Sequence, residues 1–198
     1  MPEMVIRSDD PRCAELEGAG WTVVATSWGA RLRVTPALLE GLGQVVAGAG
    51  QSGTRIRELT VSDADAVLRL DAATAADYPG GIATSHEPLD AAGARDLFTR
   101  GRVFGAEHDG VLVAITATEE VGALVETAFT AVDPSHRGQG LATAVKAASV
   151  LAHAADGAAL FGTGGASVNT ASLAMNRAVG YEITETWHTY RPPAESAE

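Results

Sequence analysis

Residues 132–148 read VDPSHRGQGLATAVKAA and join the end of a strand pattern to the start of a helical one. Gly138 and Gly140 stand at the junction, directly behind Arg137. The N-terminus of a helix carries unpaired N–H groups and about half a positive charge, so a loop that turns these groups outward binds anions. Glycines let phosphate oxygens approach the main chain, and arginine adds a charge-assisted hydrogen bond. The stretch predicts a phosphate site, although glycines also precede helices in plain turns.

The hydrophobic periodicity around this stretch predicts an α/β domain that begins near residue 52. The dipeptide Asp109-Gly110 indicates a hairpin, Gly122 a second turn, and the segment 78–90 is too rich in Pro and Gly for regular structure. Strands are predicted within 52–62, 102–110, 111–120, 123–132, 158–163 and 181–192, and helices within 63–77, 90–100, 141–157 and 169–180. This order favours a mixed sheet with helices on both faces.

Composition excludes several classes of partner and site. The formal net charge of −11 argues against binding to a nucleic-acid backbone, and the apolar runs are shorter than the roughly 20 residues that a membrane span needs. Cys13 is the only cysteine, so neither an intrachain disulfide nor a cysteine-based zinc site can form, and the scattered histidines give no metal-ligand spacing. We therefore expect a cytoplasmic protein without a metal.

Two motifs in this chain resemble those of the GNAT superfamily of acyl-CoA-dependent N-acyltransferases. TAVDPSHRGQGLATAVK is similar to motif A, and NTASLAMNRAVGY is similar to motif B, with Asn169 opening a helix and Gly180 and Tyr181 closing it. The resemblance covers roughly residues 54–191. It implies a GNAT-like fold, with a mixed, mostly antiparallel central sheet flanked by helices, and the transfer of acetyl from acetyl-CoA to a primary amine by direct attack.

The resemblance also implies how acetyl-CoA binds. The backbone of the loop would hold the pyrophosphate at His136, Arg137, Gly138, Gln139, Gly140, Leu141 and Ala142. The preceding strand would pair with pantetheine, as an added strand does, at Thr130, Ala131 and Val132. Asn169 would contact the pantetheine arm. Asn176 belongs to the same site, at a position where many members have a tyrosine proposed to protonate the leaving thiolate; an amide cannot do this, so another group or water is needed.

The proposed chemistry requires a base, because an amine is protonated at neutral pH. Glu126, on the strand before motif A, is the first candidate, and the alternative is that it only faces solvent. Glu119 and Glu120 adjoin the turn at Gly122 and are expected to be solvated. Tyr190 on the last strand is the candidate proton donor, whereas Tyr181 is expected to pack in the core. His86 could line the acceptor pocket.

Residues 1–35 resemble the closing half of a second GNAT unit, as in tandem members such as the mycothiol synthase type. Gly20-Trp21 corresponds to Gly180-Tyr181, and Trp28 to Trp187. We therefore predict a small strand-helix-strand unit and a linker helix within residues 1–50, followed by the acetyltransferase domain at 51–198. A plain extension and a dimerisation arm are the alternatives.

Three functions are compatible with these sequence features. The first is an N-acetyltransferase, the second a non-catalytic acyl-CoA-binding module that has lost its chemistry, and the third a nucleotide-phosphate binder of another fold. No motif identifies the acceptor, which we expect to be a small-molecule or peptide amine. Whether the protein forms a homodimer stays open.

Overall fold

A computed structural model of the protein describes residues 2–51, 53–78 and 84–193. The strands of this part of the chain are β1 (Met4–Arg7), β2 (Thr22–Arg33), β3 (Thr54–Glu58), β4 (Gly101–His108), β5 (Val111–Val121), β6 (Leu124–Val132), β7 (Leu160–Ala166) and β8 (Glu182–Arg191). The α-helices are α1 (Arg12–Gly18), α2 (Pro36–Gln51), α3 (Ala64–Thr74), α4 (Ala91–Arg100), α5 (Leu141–Ala155) and α6 (Thr170–Val179). Short 3-10 helices span Val61–Asp63, Ala75–Asp77 and Pro134–His136.

The strands form one eight-stranded sheet in the order β1-β8-β2-β7-β6-β5-β4-β3. Among the pairs of described strands, β6 and β7 run parallel and all others run antiparallel. The predicted fold class, a mostly antiparallel sheet with flanking helices, is confirmed. The strand and helix order predicted from residue 54 onward is also the observed one.

The N-terminal strand-helix-strand unit is present, and it is continuous with the sheet. β2 lies between β7 and β8, and β1 pairs with the outer edge of β8. Alternate residues of β2, Trp28, Ala30 and Leu32, are buried, as expected for a strand that covers a core with one face. Whether residues 1–50 and 51–198 are separate domains stays a prediction.

Helices cover both faces of the sheet. On one face, α2, α5 and α6 enclose a core that includes Leu32, Val150 and Phe161. On the other face, α3 and α4 pack on β4 and β5 around Leu70 and Ile115. Since α5 is covered by the sheet on one side and by α2 on another, its buried surface extends well beyond a single stripe.

The turns follow the glycine signals in the sequence. Asp109 and Gly110 both have positive φ, 50° and 76°, which makes the tight hairpin between β4 and β5, and Gly122 has φ 64° between β5 and β6. The predicted loop at 78–90 is irregular where it is described, and its residues 79–83 lie outside the described residues. Within the described ranges, no helix is both long and apolar enough to cross a membrane.

Candidate active site

The two parallel strands separate halfway along their length. β6 and β7 pair only from Leu124 to Glu126 against Leu160 to Gly162. Beyond this point β7 continues to pair with β2, while β6 stays with β5 and gains an extra residue at Ala128, where the register shifts. The strands therefore enclose a cleft of about 1100 Å³, named here the β6–β7 cleft. One wall is the edge of β6 at 127–132, which no described strand pairs with.

The loop before α5 lies at the mouth of the β6–β7 cleft. Asp133 begins it by accepting a hydrogen bond from Ser135 N at 2.9 Å, which sets the short 3-10 helix. Gly138 and Gly140 have φ values of 75° and 76°, a left-handed conformation that favours glycine, and nothing lies within 4 Å of where their Cβ atoms would be. In the described part of the chain, no acceptor pairs with the N–H groups from Gly138 to Ala142. These donors suit an anion.

Arg137 extends from the same loop across the edge of β6. Its Nε donates to Val132 O at 3.2 Å, and its Nη2 lies 2.5 Å from Asp77 Oδ2. Both members of this ion pair are about half exposed. The guanidinium is thus held at the entrance of the cleft and is within reach of a ligand there.

The cleft brings together most of the residues predicted to bind acetyl-CoA. Those that line it are Thr130, Ala131, Val132, His136, Arg137, Gly138, Gly140, Leu141, Ala142, Asn169 and Asn176. Asn169 begins α6 as its N-cap, with Oδ1 accepting from Ser172 N at 3.0 Å. Gln139 is exposed and does not contribute to the lining. Its predicted role rests on the backbone alone.

Glu126 lies where the strands separate. Its Oε1 is 3.8 Å from Arg31 Nη1, and its Oε2 is buried without a hydrogen-bond partner among the described residues. A Cβ at position 162 would overlap this carboxylate, so Gly162 makes the space for it. Burial raises the pKa of Glu126, and the charges of Arg31 and Lys146 oppose the rise. Glu126 therefore lines the cleft, as a base would have to, and does not simply face bulk solvent.

Tyr190 does not reach the cleft, contrary to the prediction that it donates a proton there. Its side chain is fully buried, and its hydroxyl donates to Glu17 Oε1 at 2.8 Å. Glu185 and Trp187 of the same strand do line the cleft. Because side chains alternate along a strand, Tyr190 points to the opposite face from these two.

Lys146 is the main site residue that the sequence analysis missed. Its Nζ donates to Thr163 Oγ1 at 2.9 Å and to Asn176 Oδ1, and it lies 4.6 Å from the centre of the Tyr181 ring. Burial lowers the pKa of Lys146 to about 7, although the charge of Glu126 acts in the other direction. The sequence feature that could have revealed its burial is its position within an otherwise apolar run in the interior of α5.

The cleft also contains an aromatic cluster. His86 stacks on Tyr78 and packs on Phe129, with ring centroids 4.5 and 4.8 Å away. Its Nε2 lies 2.6 Å from Oδ1 of the buried Asp71. Tyr78 donates its hydroxyl to Thr130 O at 3.2 Å. His86 and Tyr78 both line the cleft, and the assignment of His86 to an acceptor pocket stays a prediction.

β2 of the N-terminal unit and β8 together supply another wall of the cleft. Trp28 and Arg31 of β2 and Glu185 and Trp187 of β8 line the cleft. The indole N–H of Trp28 is buried and has no acceptor in the described ranges. This wall therefore combines aromatic surface with the carboxylate of Glu185, and Glu126 on β6 adds a second carboxylate to the cleft.

The fold and the site together define a class of α/β protein: a sheet that opens between two parallel strands, beside a helix whose first N–H groups are free. A family model described as "Acetyltransferase (GNAT) family" matches residues 69–181, more than half of the chain. The chain therefore belongs to the GNAT family and is an N-acetyltransferase, of a family that takes its acyl group from acetyl-CoA.

Solved structures share this fold at low sequence identity. A GCN5-related N-acetyltransferase from Sphaerobacter thermophilus has a TM-score of 0.71 and 13% identity, over 97% of this chain and 60% of that one. A tandem GNAT protein from the clavulanic acid biosynthesis pathway has a TM-score of 0.60 and 17% identity, over 97% and 65%. The ribosomal-protein-S18-alanine N-acetyltransferase from Escherichia coli has a TM-score of 0.55 and 16% identity, over 73% and 99%.

The present chain thus spans less than two thirds of the length of the first two of these proteins. No curated protein matches the chain. The resemblance to tandem members of the mycothiol synthase type stays a prediction.

Proposed function

We propose that this protein transfers the acetyl group of acetyl-CoA to a primary amine by direct attack of the amine on the thioester. The observation that carries the proposal is the β6–β7 cleft, which leads from the free N–H groups at 138–142 to the carboxylate of Glu126. One extended ligand that has phosphates at one end and a thioester at the other suits both ends of this cleft.

The chain's own residues fit such a ligand. The N–H groups of the loop and the guanidinium of Arg137 would hold the pyrophosphate, which competes with Asp77 for that guanidinium. The open edge of β6 at 127–132 would pair with the amides of pantetheine, and Asn169 would contact the same arm. When bound, acetyl-CoA supplies an activated acyl carbon. Its thioester would then lie near Glu126 and Asn176.

Glu126 would take the proton that the attacking amine must lose. A carboxylate in a partly buried position has a raised pKa and so accepts a proton more readily than a solvated one. Its Oε2 has no hydrogen-bond partner among the described residues, so one acceptor of the carboxylate is unused.

The wall of the cleft favours a cationic acceptor that carries apolar surface. Glu126 and Glu185 would attract an ammonium group, and Trp28, Trp187 and Phe129 would pack against its apolar part. The structurally similar E. coli enzyme is, by its name, an N-acetyltransferase of an alanine in ribosomal protein S18. A peptide N-terminus is therefore tested together with small amines.

The test is release of CoA thiol from acetyl-CoA in the presence of tyramine, spermidine or a peptide that begins with alanine, with the acetylated product identified by mass. We expect at least one of these amines to accelerate thiol release and to gain one acetyl group. Binding of acetyl-CoA without turnover of any amine in a wider screen would instead support the acyl-CoA-binding module. Absence of binding would contradict the proposal altogether.

A further inference from the structure

Lys146 is the only lysine of this chain, which otherwise takes its positive charge from arginine. A surface lysine would need no explanation, but Lys146 is 1% exposed and its side chain lines the β6–β7 cleft. An ammonium group is costly to bury, so its retention at this one place calls for a specific role.

Three side chains surround the Nζ atom of Lys146. Thr163 on β7 accepts one hydrogen bond at 2.9 Å, and Asn176 on α6 accepts another through Oδ1. The amide of Asn176 is itself fixed, since its Nδ2 donates to Ser172 O at 2.9 Å. The ring of Tyr181 covers a third side. The Nζ atom is therefore held in one position, with Asn176 as its anchor.

Glu126 on β6 lines the same cleft, and its negative charge raises the pKa of Lys146 against the effect of burial. Behind it lie Arg31 and Glu185, which pair with each other at 3.3 Å. The cleft thus places one carboxylate and one amine next to the point where the two strands separate. These are the two groups that acetyl transfer requires, a proton acceptor and a proton donor.

We propose that Lys146 is the proton donor to the sulfur of CoA, a role that the amide of Asn176 cannot perform. This inference rests on the proposed function. Asn176 is then a positioning residue, because it acts by holding Nζ.

The proton balance of this step is complete when it starts from the neutral amine, whose ammonium form has first released one proton to solvent. The amine nitrogen forms a bond to the carbonyl carbon, and the carbon–sulfur bond breaks with its electron pair on sulfur. Glu126 receives the proton from the nitrogen, and Lys146 gives its own proton to the sulfur. Return of a proton from the Glu126 carboxyl to the Lys146 amine restores both groups, so no outside reactant is consumed. A lysine pKa of about 7 supports this role, since such an ammonium gives up its proton readily.

The first test needs neither an acceptor nor a variant. Protein labelled with carbon-13 lysine gives the NMR signal of Lys146 alone, because the chain has one lysine. The pH titration of this signal is followed without ligand, with CoA, and with desulfo-CoA, which lacks the thiol. We expect CoA to raise the pKa of Lys146 by about one unit or more through the neighbouring thiolate, and desulfo-CoA to raise it by a few tenths at most.

Equal effects of the two ligands would overturn the proton-donor role and leave the proposed function standing. If neither ligand binds, both the role and the function are overturned. A merely structural lysine that ties α5, β7 and α6 together would respond equally to both ligands, so the sulfur is the discriminating atom.

The second test follows the ionisation of bound CoA by the ultraviolet absorbance of its thiolate. In the wild type we expect the bound thiol to ionise at least about one pH unit lower than in Lys146→Met, and Lys146→Arg to restore part of the difference. Circular dichroism establishes that each variant is folded. Identical thiol ionisation in folded wild type and Lys146→Met would contradict the proposal, as would a stable acetyl group found on Lys146 by intact mass after incubation with acetyl-CoA, because that result makes Lys146 an acceptor.

Discussion

Glu126 and Lys146 show how burial brings the pKa values of two opposite charges towards each other. Burial raises the pKa of the acid and lowers that of the amine, in each case because the charged form loses water. On an exposed surface, the same two residues would be fully ionised at neutral pH and neither would exchange protons readily. Within the cleft, both groups move towards the range in which acid-base catalysis works.

The role of Glu126 predicts a specific kinetic loss. In Glu126→Gln we expect kcat for amine acetylation to fall by roughly 10²- to 10⁴-fold, because the amine loses its proton acceptor while the shape of the site is kept. The dissociation constant of acetyl-CoA should stay within about twofold in a calorimetric titration.

The matched control is Glu120→Gln, at an exposed carboxylate near the β5–β6 turn. This change should leave kcat unaltered. Similar losses in both variants, or none in Glu126→Gln, would exclude Glu126 as the base.

Burial of Lys146 also predicts how stability changes with pH. The pKa of Lys146 is about 7 in the folded protein against an ordinary value of 10.5, so between these values the unfolded chain binds more protons. The free energy of unfolding should therefore rise as the pH increases from 7 to 9, by at most about 1.4 kcal/mol per pH unit from this group.

Urea denaturation of wild type and Lys146→Met at several pH values measures the effect. The stability of the wild type relative to the variant should increase with pH across this window. Parallel curves would show that the amine of Lys146 titrates as an ordinary exposed lysine does.

At the scale of elements, the segment at 75–78 crosses the entrance of the cleft. Asp77 holds Arg137, and Tyr78 donates to the β6 edge at Thr130 O. Both contacts use protein groups that we assign to the binding of acetyl-CoA, the guanidinium of Arg137 and the carbonyl of Thr130. The ligand therefore has to replace Asp77 and Tyr78 at these groups or share the groups with them. We therefore expect this segment to lower the affinity of the cleft for acetyl-CoA.

Removing the charge of Asp77 should strengthen the binding of acetyl-CoA. In Asp77→Asn we expect the dissociation constant to fall by about twofold to fivefold, in keeping with the small energy of an exposed ion pair, because Arg137 becomes free for phosphate. Calorimetry at two salt concentrations measures this, with Asp65→Asn on α3 as the control for net charge. Weaker binding in Asp77→Asn would mean that Asp77 orients Arg137 productively.

Local sequence signals predicted the elements better than the contacts between them. The hairpin at Asp109-Gly110 and the capped helix from Asn169 to Gly180 depend on neighbouring residues, and both were predicted correctly. The face on which Tyr190 lies and the contact of His86 with Asp71 depend on distant chain segments, which one sequence does not reveal. Burial of Lys146 likewise follows from its contacts with Thr163 on β7, Asn176 on α6 and the ring of Tyr181.

At the scale of the whole molecule, the most unexpected feature is the position of β2 between β7 and β8. The resemblance to a closing half of a GNAT unit predicted the strand, but nothing in the local pattern placed it inside the sheet. β2 contributes Trp28 to the core and also lines the cleft, so the N-terminal unit belongs to both the fold and the site.

Removal of residues 1–50 should therefore destroy the fold. Without β2, the sheet between β7 and β8 loses its central pairing, and we expect the truncated chain to lose cooperative thermal unfolding and to aggregate. A milder perturbation of β2 is the substitution Trp28→Ala. It should lower the free energy of unfolding by about 3–5 kcal/mol, because it removes a large buried aromatic side chain. A truncated chain that unfolds cooperatively, as a plain extension or a dimerisation arm would allow, would contradict this account.

The central claim is that the β6–β7 cleft binds acetyl-CoA with its pyrophosphate on the loop before α5. The most direct measurement is calorimetric titration of acetyl-CoA into wild type, Gly140→Asp and Gly140→Asn. Aspartate and asparagine both tolerate the left-handed conformation at this position, and they differ from each other mainly in charge. We expect micromolar-range binding by the wild type, a loss of roughly tenfold or more in Gly140→Asp, and a clearly smaller loss in Gly140→Asn. Equal affinities of the two variants, or no binding by the wild type, would contradict the claim.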